Sequence, residues 1–240
     1  MFQISCFESS DSTNDEARRL YAERRCPQLV YASEQRKGRG RLGREWDSPR
    51  GNLYLSVCLK PVLQSSEWPF FSIKVAVVLA DCLTELGLKN LCLKWPNDCL
   101  LAGRKLAGIL LEKDKDIKDK DILVMGMGIN IIAAPPGAAR LVDSLPDISL
   151  SMLVQKLIPK LENALQSSDK REHWSDRWNT YAYGLGEMLR IYRGKDCQQG
   201  VFQGINDRGE ACLFSENGIV LTLNSGEAFF GIATTKEIKE

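Results

Sequence analysis

Arg36-Lys37-Gly38-Arg39-Gly40-Arg41-Leu42-Gly43-Arg44-Glu45-Trp46-Asp47-Ser48-Pro49-Arg50-Gly51 is the stretch that decides what fold this chain can have. Gly38 to Gly43 formally satisfies GxGxxG, and it follows a β-rich segment, Gln28 to Glu34, as a dinucleotide fingerprint does. The residues after it open no helix. Asp47, Ser48, Pro49 and Gly51 lead instead into another β-rich run, Leu53 to Leu59. No helix N-terminus therefore stands ready for a pyrophosphate, and a Rossmann unit is excluded. No GxxxxGK[ST] occurs elsewhere, which removes the P-loop. What remains is a glycine loop carrying Arg36, Lys37, Arg39, Arg41 and Arg44 with no acid between them. Glycine lets backbone N–H groups approach an anion, and guanidinium groups bind phosphate or carboxylate in bidentate fashion. A solvated basic loop, or an Arg/Gly segment touching RNA, is the competing reading.

Working outward, 240 residues with 44% hydrophobic and 26% charged positions fit a soluble globular protein of one large and one small domain. The formal net charge is +1, so no global field draws the chain to nucleic acid or acidic membrane, and anion binding must be local. The first residues, Met1 to Cys6, lack a basic region followed by an apolar stretch; no secretory signal is expected, and the chain reads as cytoplasmic. Ile122 to Ala139 is uncharged but contains Pro135, Pro136 and three glycines, which suits a strand entering a loop rather than a membrane span. Eight cysteines form no CxxC pair and His173 is the single histidine, so the thiols read as reduced core residues and no zinc site is expected.

Ser12-Thr13-Asn14-Asp15-Glu16 predicts a helix start with Thr13 capping toward Glu16, and a helix to about Arg25. Phe71 to Leu86 predicts a mostly buried helix with a polar stripe at Lys74, Asp81 and Glu85. Strands are expected at Leu91 to Lys94, Leu106 to Leu111 and Ile122 to Met125, the last two joined by a charged run, Glu112 to Asp121, that alternates signs and is read as a solvated hairpin tip. Apolar spacing from Leu150 to Leu165 predicts an amphipathic helix bent or interrupted at Pro159. After Trp178 short strands alternate with Asn/Asp/Gly turns, which predicts a small antiparallel barrel. The boundary is placed near Tyr183-Gly184, giving domains 1–183 and 184–240.

Three further motifs carry polar groups at strand ends. Lys94-Trp95-Pro96-Asn97-Asp98 follows a β-rich run, Arg104-Lys105-Leu106-Ala107-Gly108-Ile109-Leu110 puts a lysine at a strand entry, and Gly126-Met127-Gly128-Ile129-Asn130 ends an apolar strand with glycines that permit close approach of a planar ligand. Each taken singly is also explained by turn chemistry, surface charge or a bulge. Together, DSTN at 11–14, GRGRLGR at 38–44 followed by Trp46, KWPND at 94–98, RKLAGIL at 104–110 and GMGIN at 126–130 stand in the order found in biotin–protein ligases, and the chain resembles that family over essentially its whole length.

The resemblance implies an α+β fold: a mixed-sheet catalytic domain related to class II aminoacyl-tRNA synthetases, then an SH3-like barrel. It implies activation of biotin by ATP to biotinyl-AMP and transfer to a lysine of a biotin carboxyl carrier protein, with Mg²⁺ as cofactor. Ser12, Thr13, Asn14 and Gln35, with the backbone at Gly38 and Arg39, would hold biotin beside Gly108 and Gly126. Lys105 would be the catalytic cation, bridging carboxylate and α-phosphate; Arg41 and Arg44 would close the loop over the adenylate. Arg39, Trp46, Lys94, Asn97 and Asn130 would face the nucleotide, Asn130 reading the adenine edge and Trp46 shielding or stacking on adenine, and Asp98 would hold Mg²⁺. Leu42 stands where some relatives carry another arginine. Repressor members carry a winged helix-turn-helix before the DSTN region; only ten residues precede Asp11 here, so no sequence-specific DNA binding is expected, nor any membrane association, and the chain is expected as monomer or homodimer. A lipoate or octanoate ligase of the same fold is the alternative, and an RNA-binding module a distant one.

Overall fold

The computed structural model describes residues 1–61, 67–116, 118–166 and 171–230. A seven-stranded sheet is built from β1 (Gln3–Phe7), β2 (Gln28–Ala32), β3 (Leu53–Leu59), β4 (Leu91–Lys94), β5 (Asp98–Leu101), β6 (Arg104–Lys115) and β7 (Asp121–Ile129), in the order β1-β2-β3-β7-β6-β5-β4. Only β1 and β2 run parallel, joined by α1 (Thr13–Arg24); the other neighbours are antiparallel, so the sheet is mixed.

Both faces are covered, which is why β3 is apolar without alternation and fully buried. Leu53, Leu55, Val57 and Leu59 join the large core with α2 (Pro69–Glu85) and α3 (Leu150–Gln166), while Cys58 faces Ala17, Leu20 and Tyr21 of α1. β7 repeats the division: Leu123, Met125, Met127 and Ile129 enter the large core, and Ile122 and Val124 pack under α1. On that α1 face the next two positions are Gly126 and Gly128. Side chains stop there, and a cleft begins.

The second sheet, order β11-β10-β9-β8-β12, contains β8 (Met188–Arg193), β9 (Asp196–Ile205), β10 (Ala211–Phe214), β11 (Val220–Leu223) and β12 (Glu227–Phe230), all antiparallel. It fits the expected SH3-like unit, whose last ten positions, 231–240, lie outside the described residues, as does position 117 of the charged run. The sheets share one core, with Trp178 of α4 (Arg171–Thr180) edge-on to Phe202 of β9 at 6.5 Å.

Four expectations need correction. Ser12, not Thr13, caps α1, its Oγ accepting from Asp15 N at 3.4 Å, which leaves the Thr13 hydroxyl for other partners. Lys74 is not on a wet stripe: it is buried, its Nζ donating to Ala164 O of α3 at 3.2 Å and lying 5.2 Å from the Trp174 ring. Asp81 from the same stripe pairs with Arg177 of α4. Helix α3 runs uninterrupted through Pro159, because proline removes a single N–H while the buried stripe Leu153, Leu157, Leu161 and Ala164 continues across it. The charged run forms the expected hairpin, with β6 and β7 paired from Lys115 and Asp121 inward, so that its first four residues and its last are strand. Strand β5, at four residues, is too short to be seen by periodicity, and helix α4, apolar only at Trp174 and Trp178, is too polar.

Candidate active site

The cleft on the α1 face has a floor of bare backbone. Gly108 of β6 pairs with Gly128 of β7, and Gly128 with Tyr54 of β3; in the next row Leu110, Gly126 and Ser56 lie side by side. The cavity measures about 280 Å³, near the lower end of cavities that hold small ligands. Trp46 occupies part of it. A Cβ added to Gly128 would come 2.5 Å from Trp46 Nε1, and one added to Gly108 2.9 Å from Trp46 Cζ3. The buried indole N–H has no hydrogen-bond partner, and Lys105 Nζ lies 5.0 Å from the indole ring.

One end of the cleft is polar, formed where α1 begins. Ser12, Thr13, Asn14 and Gln35 line it. Gln35 Oε1 accepts from Thr13 N and Thr13 Oγ1, both at 2.8 Å; Ser56 Oγ lies 2.7 Å from Thr13 Oγ1 and 2.5 Å from Asn14 Oδ1. Gln35 Nε2 reaches Ser48 Oγ at 3.3 Å, and Ser48 in turn donates to Trp46 O at 2.8 Å. The wall is thus hydrogen-bonded from the loop to the strand.

The other end is cationic. Lys94, Lys105, Arg41 and Arg44 line it together with Asn97 and Asp98. Lys105 Nζ stands 2.8 Å from Asp98 Oδ1. Arg41 donates to Asn97 Oδ1 at 3.2 Å and to Gly226 O at 3.0 Å, and Arg44 pairs with Glu227 at 2.5 Å, so the glycine loop rests on the second sheet. Burial draws the Arg41 guanidinium below its ordinary value, against the opposing charges of Asp98 and Glu227. Asn97 does serve its turn, its Nδ2 donating to Ile109 O at 2.7 Å, and holds Arg41 with the same amide's oxygen.

Most expected site residues converge here, but three stand differently. Arg39 turns to the polar end: it pairs with Asp15 at 2.7 Å and Glu112 at 2.9 Å and donates to Ser12 Oγ at 3.0 Å. These hydrogen bonds, Asp15 first, raise its guanidinium and hold the Asp15 carboxyl below the carboxylate range. Asn130 is buried outside the cleft wall, its Nδ2 3.5 Å from Lys105 O, because it closes the segment after β7. Gly38 is buried just behind the wall, its carbonyl accepting from Trp46 N at 3.1 Å. Leu42 is 77% exposed in left-handed backbone (φ 57°) and does not line the cleft. The sequence reading did not single out Ser56, Glu112 or the Gly226–Phe229 edge. Ser56 carries a weak signal, a hydroxyl inside an apolar strand; Glu112 was masked by the charged run that it begins.

A sequence model of the biotin/lipoate A/B protein ligase family matches residues 4–130, more than half of the chain. This chain belongs to that family. A biotin–[acetyl-CoA-carboxylase] ligase of Paracoccus denitrificans is similar to this family member at 31% identity over 239 residues, covering 92% of this chain and 98% of its own. The solved biotin protein ligase from Aquifex aeolicus in complex with biotin and ATP matches with TM-score 0.82 at 25% identity, over 96% of this chain and 99% of that one. The biotin protein ligase of Leishmania major in complex with biotinyl-5-AMP matches with TM-score 0.68 at 25% identity, over 92% and 98% of the two chains. Both ligase structures span the first sheet and the second. Among the described residues of this ligase-family chain, no helix is long and apolar enough to cross a membrane.

Proposed function

We propose that this chain is an ATP-dependent biotin–protein ligase: a biotin carboxylate oxygen attacks the α-phosphorus of ATP, pyrophosphate leaves, and a carrier-protein lysine amine then attacks the acyl carbon of biotinyl-AMP and expels AMP. The observation that carries this reading is the division of one cleft, over a glycine floor, into a hydrogen-bonding end, where the one cation, Arg39, is paired by Asp15 and Glu112, and a cationic end. A ureido ring needs matched donors and acceptors, which Ser12, Thr13, Asn14 and Gln35 offer. A carboxylate beside a triphosphate needs cations, which Lys105, Arg41, Arg44 and Lys94 offer.

Such chemistry needs positioning and charge stabilisation rather than a side-chain nucleophile. Lys105 is our choice for the cation on the bridging oxygens: it leaves Asp98 for the substrate carboxylate as the substrates enter. Arg41 and Arg44 close over the adenylate, and Trp46, lifted from the glycine floor, shields the adenine. Gly38 acts through its backbone. Arg39 serves the biotin end, and Asn130 supports the strand that carries the floor, in place of the nucleotide contacts implied by resemblance alone. Mg²⁺ is read as arriving with the nucleotide: no group of three or more His, Cys, Asp or Glu side chains suited to a metal occurs among the described residues, and magnesium commonly takes one or two carboxylates with substrate phosphates. Asp98 would be that carboxylate, and the ion would offset phosphate charge.

We read residues 1–183 as the catalytic unit and 184–240 as the SH3-like unit, with a biotin carboxyl carrier protein as acceptor. All eight cysteines are free, which suits a reducing compartment such as the cytoplasm. The test is ATP–pyrophosphate exchange with biotin, lipoate and octanoate side by side. Exchange with biotin alone is expected; exchange driven by lipoate or octanoate would overturn the substrate assignment.

A further inference from the structure

Glu112 lies on β6 behind the wall of the cleft, two positions beyond Leu110 and beside Val124 of β7. Its carboxylate is a meeting point. Oε2 accepts from Asn14 Nδ2 at 2.6 Å, from Arg18 at 2.6 Å and from Arg39 Nη2 at 3.1 Å, and Oε1 accepts from Arg39 Nε at 2.9 Å. Burial pushes the carboxyl up, but the hydrogen bonds from Arg39 and Asn14 and the charge of Arg18 outweigh it and hold the group ionised.

An ionised carboxylate accepts and never donates, so it decides which end of the Asn14 amide faces it. The NH₂ turns to Glu112, and the carbonyl oxygen is left facing Ser56 and the floor at Gly126. Ser56 has one proton and two oxygen neighbours. Asn14 Oδ1, at 2.5 Å, is acceptor-only and takes that proton. The Thr13 hydroxyl then has two acceptors inside the wall, Ser56 Oγ and Gln35 Oε1, and turns its lone pairs to the cleft. A single charge behind the wall thus orders a chain of neutral groups in front of it. The same carboxylate, with Asp15, pins Arg39 where its Nη1 donates to Ser12.

We propose that Glu112 is a positioning residue that sets which atoms of the polar end donate and which accept, through Asn14 and Ser56, and so fits that end to the N–H groups of a ureido ring. This rests on biotin being the substrate. Glutamine at 112 presents an amide that offers Asn14 either a donor or an acceptor, so the Asn14 amide is free to flip and the order is lost.

The test is steady-state ATP–pyrophosphate exchange by the full chain, with biotin and ATP varied separately. Glu112→Gln is expected to raise the biotin KM at least ~10-fold and Glu112→Ala further, with kcat and the ATP KM within about 3-fold of wild type, the order of one to two buried hydrogen bonds. A merely structural role would instead lower thermal stability while leaving the biotin KM within 2-fold of wild type, or move kcat and both KM values together, and either result overturns the proposal. If Glu112→Gln does not fold, Ser56→Ala carries the same test, since it removes the link between Asn14 and Thr13 and leaves the ion pairs of Glu112 in place; a biotin KM unchanged within 2-fold overturns the relay. A wild-type protein without biotin-dependent exchange overturns the substrate reading and this proposal with it. A biotin-active wild type whose Glu112→Gln variant keeps its biotin KM overturns this proposal alone.

Discussion

Adding one methyl group at Gly126 asks whether the cleft floor is a steric template for the substrate. The new Cβ would lie 2.5 Å from Asn14 Oδ1 and 3.1 Å from both Asn14 Cγ and Nδ2. Ordinary contact begins near 3.4 Å, so Asn14 must retreat by about 0.9 Å. It has nowhere to go: Ser56 holds its oxygen at 2.5 Å and Glu112 its nitrogen at 2.6 Å. Overpacking of this kind costs about 1–3 kcal/mol, and a displaced buried hydrogen bond about as much. If roughly 2–3 kcal/mol of this falls on the biotin complex, the biotin KM rises about 30- to 150-fold. Pyrophosphate exchange at varied biotin reads the effect, with a thermal melt as companion. Gly126 is ordinary extended backbone, so alanine adds no φ strain there, and the loss of Tm is expected to reflect the overpacking alone, about 2–4 °C for each kcal/mol that falls on the free protein. Gly→Ala at 126 with a biotin KM within 2-fold of wild type would refute the template argument.

Lys105→Gln should lose at least ~10²-fold in adenylate formation, the scale of one preorganised charge contact; near-normal pyrophosphate exchange would remove Lys105 from its role. Arg41→Gly unties the loop from Asn97 and Gly226, and biotinyl-AMP should escape and label bystander proteins in a mixture; unchanged selectivity would contradict the lid. Asn52 is fully buried and its Oδ1 accepts from the backbone N–H of Ile131, Ile132 and Ala133 at 2.9, 3.0 and 3.2 Å; Asn52→Ala should cost several kcal/mol in denaturant unfolding, about 1–3 kcal/mol for each stranded amide, and a loss below about 1 kcal/mol would contradict it. Asp15 and Glu112 both titrate below their ordinary values when folded, so the unfolded chain takes up protons first; their stabilisation is present near neutrality and is lost as pH falls below about 4.5. Denaturation across that window should show the decline, shallower in Glu112→Gln; an identical acid slope in the two proteins would contradict it.

How far the sequence discloses this molecule depends on how local each signal is. Strand β3 and the hairpin strands of the second sheet were legible because apolar runs and Asn/Gly turns fix them within a few residues. The motifs at 12–14, 94–98 and 105–108 named most of the cleft, because each sits at a strand or helix end, where side chains are free to converge. Pairings across the fold were not legible. Nothing near Arg39 in the chain announces that a carboxylate 73 residues away will take its guanidinium, or that Glu227 will meet Arg44. Asn130 reads as an adenine contact by motif, yet its burial follows from the course of the segment after β7, which only the folded chain shows.

Three of the four cations at the cationic end of the cleft are answered by the protein: Lys105 by Asp98, Arg44 by Glu227, and Arg41 by a carbonyl and an amide oxygen. At these three groups an incoming anion must trade places with resident oxygens, while Lys94 keeps its charge open to the cleft. A stray phosphate or acetate can replace one of these at a time and gains little by the exchange. A molecule carrying a carboxylate and a chain of phosphates replaces all three at once, and the freed Asp98 and Glu227 return to water or to its counter-ion. These pairings thus favour a ligand that engages all three positions together over a simple anion.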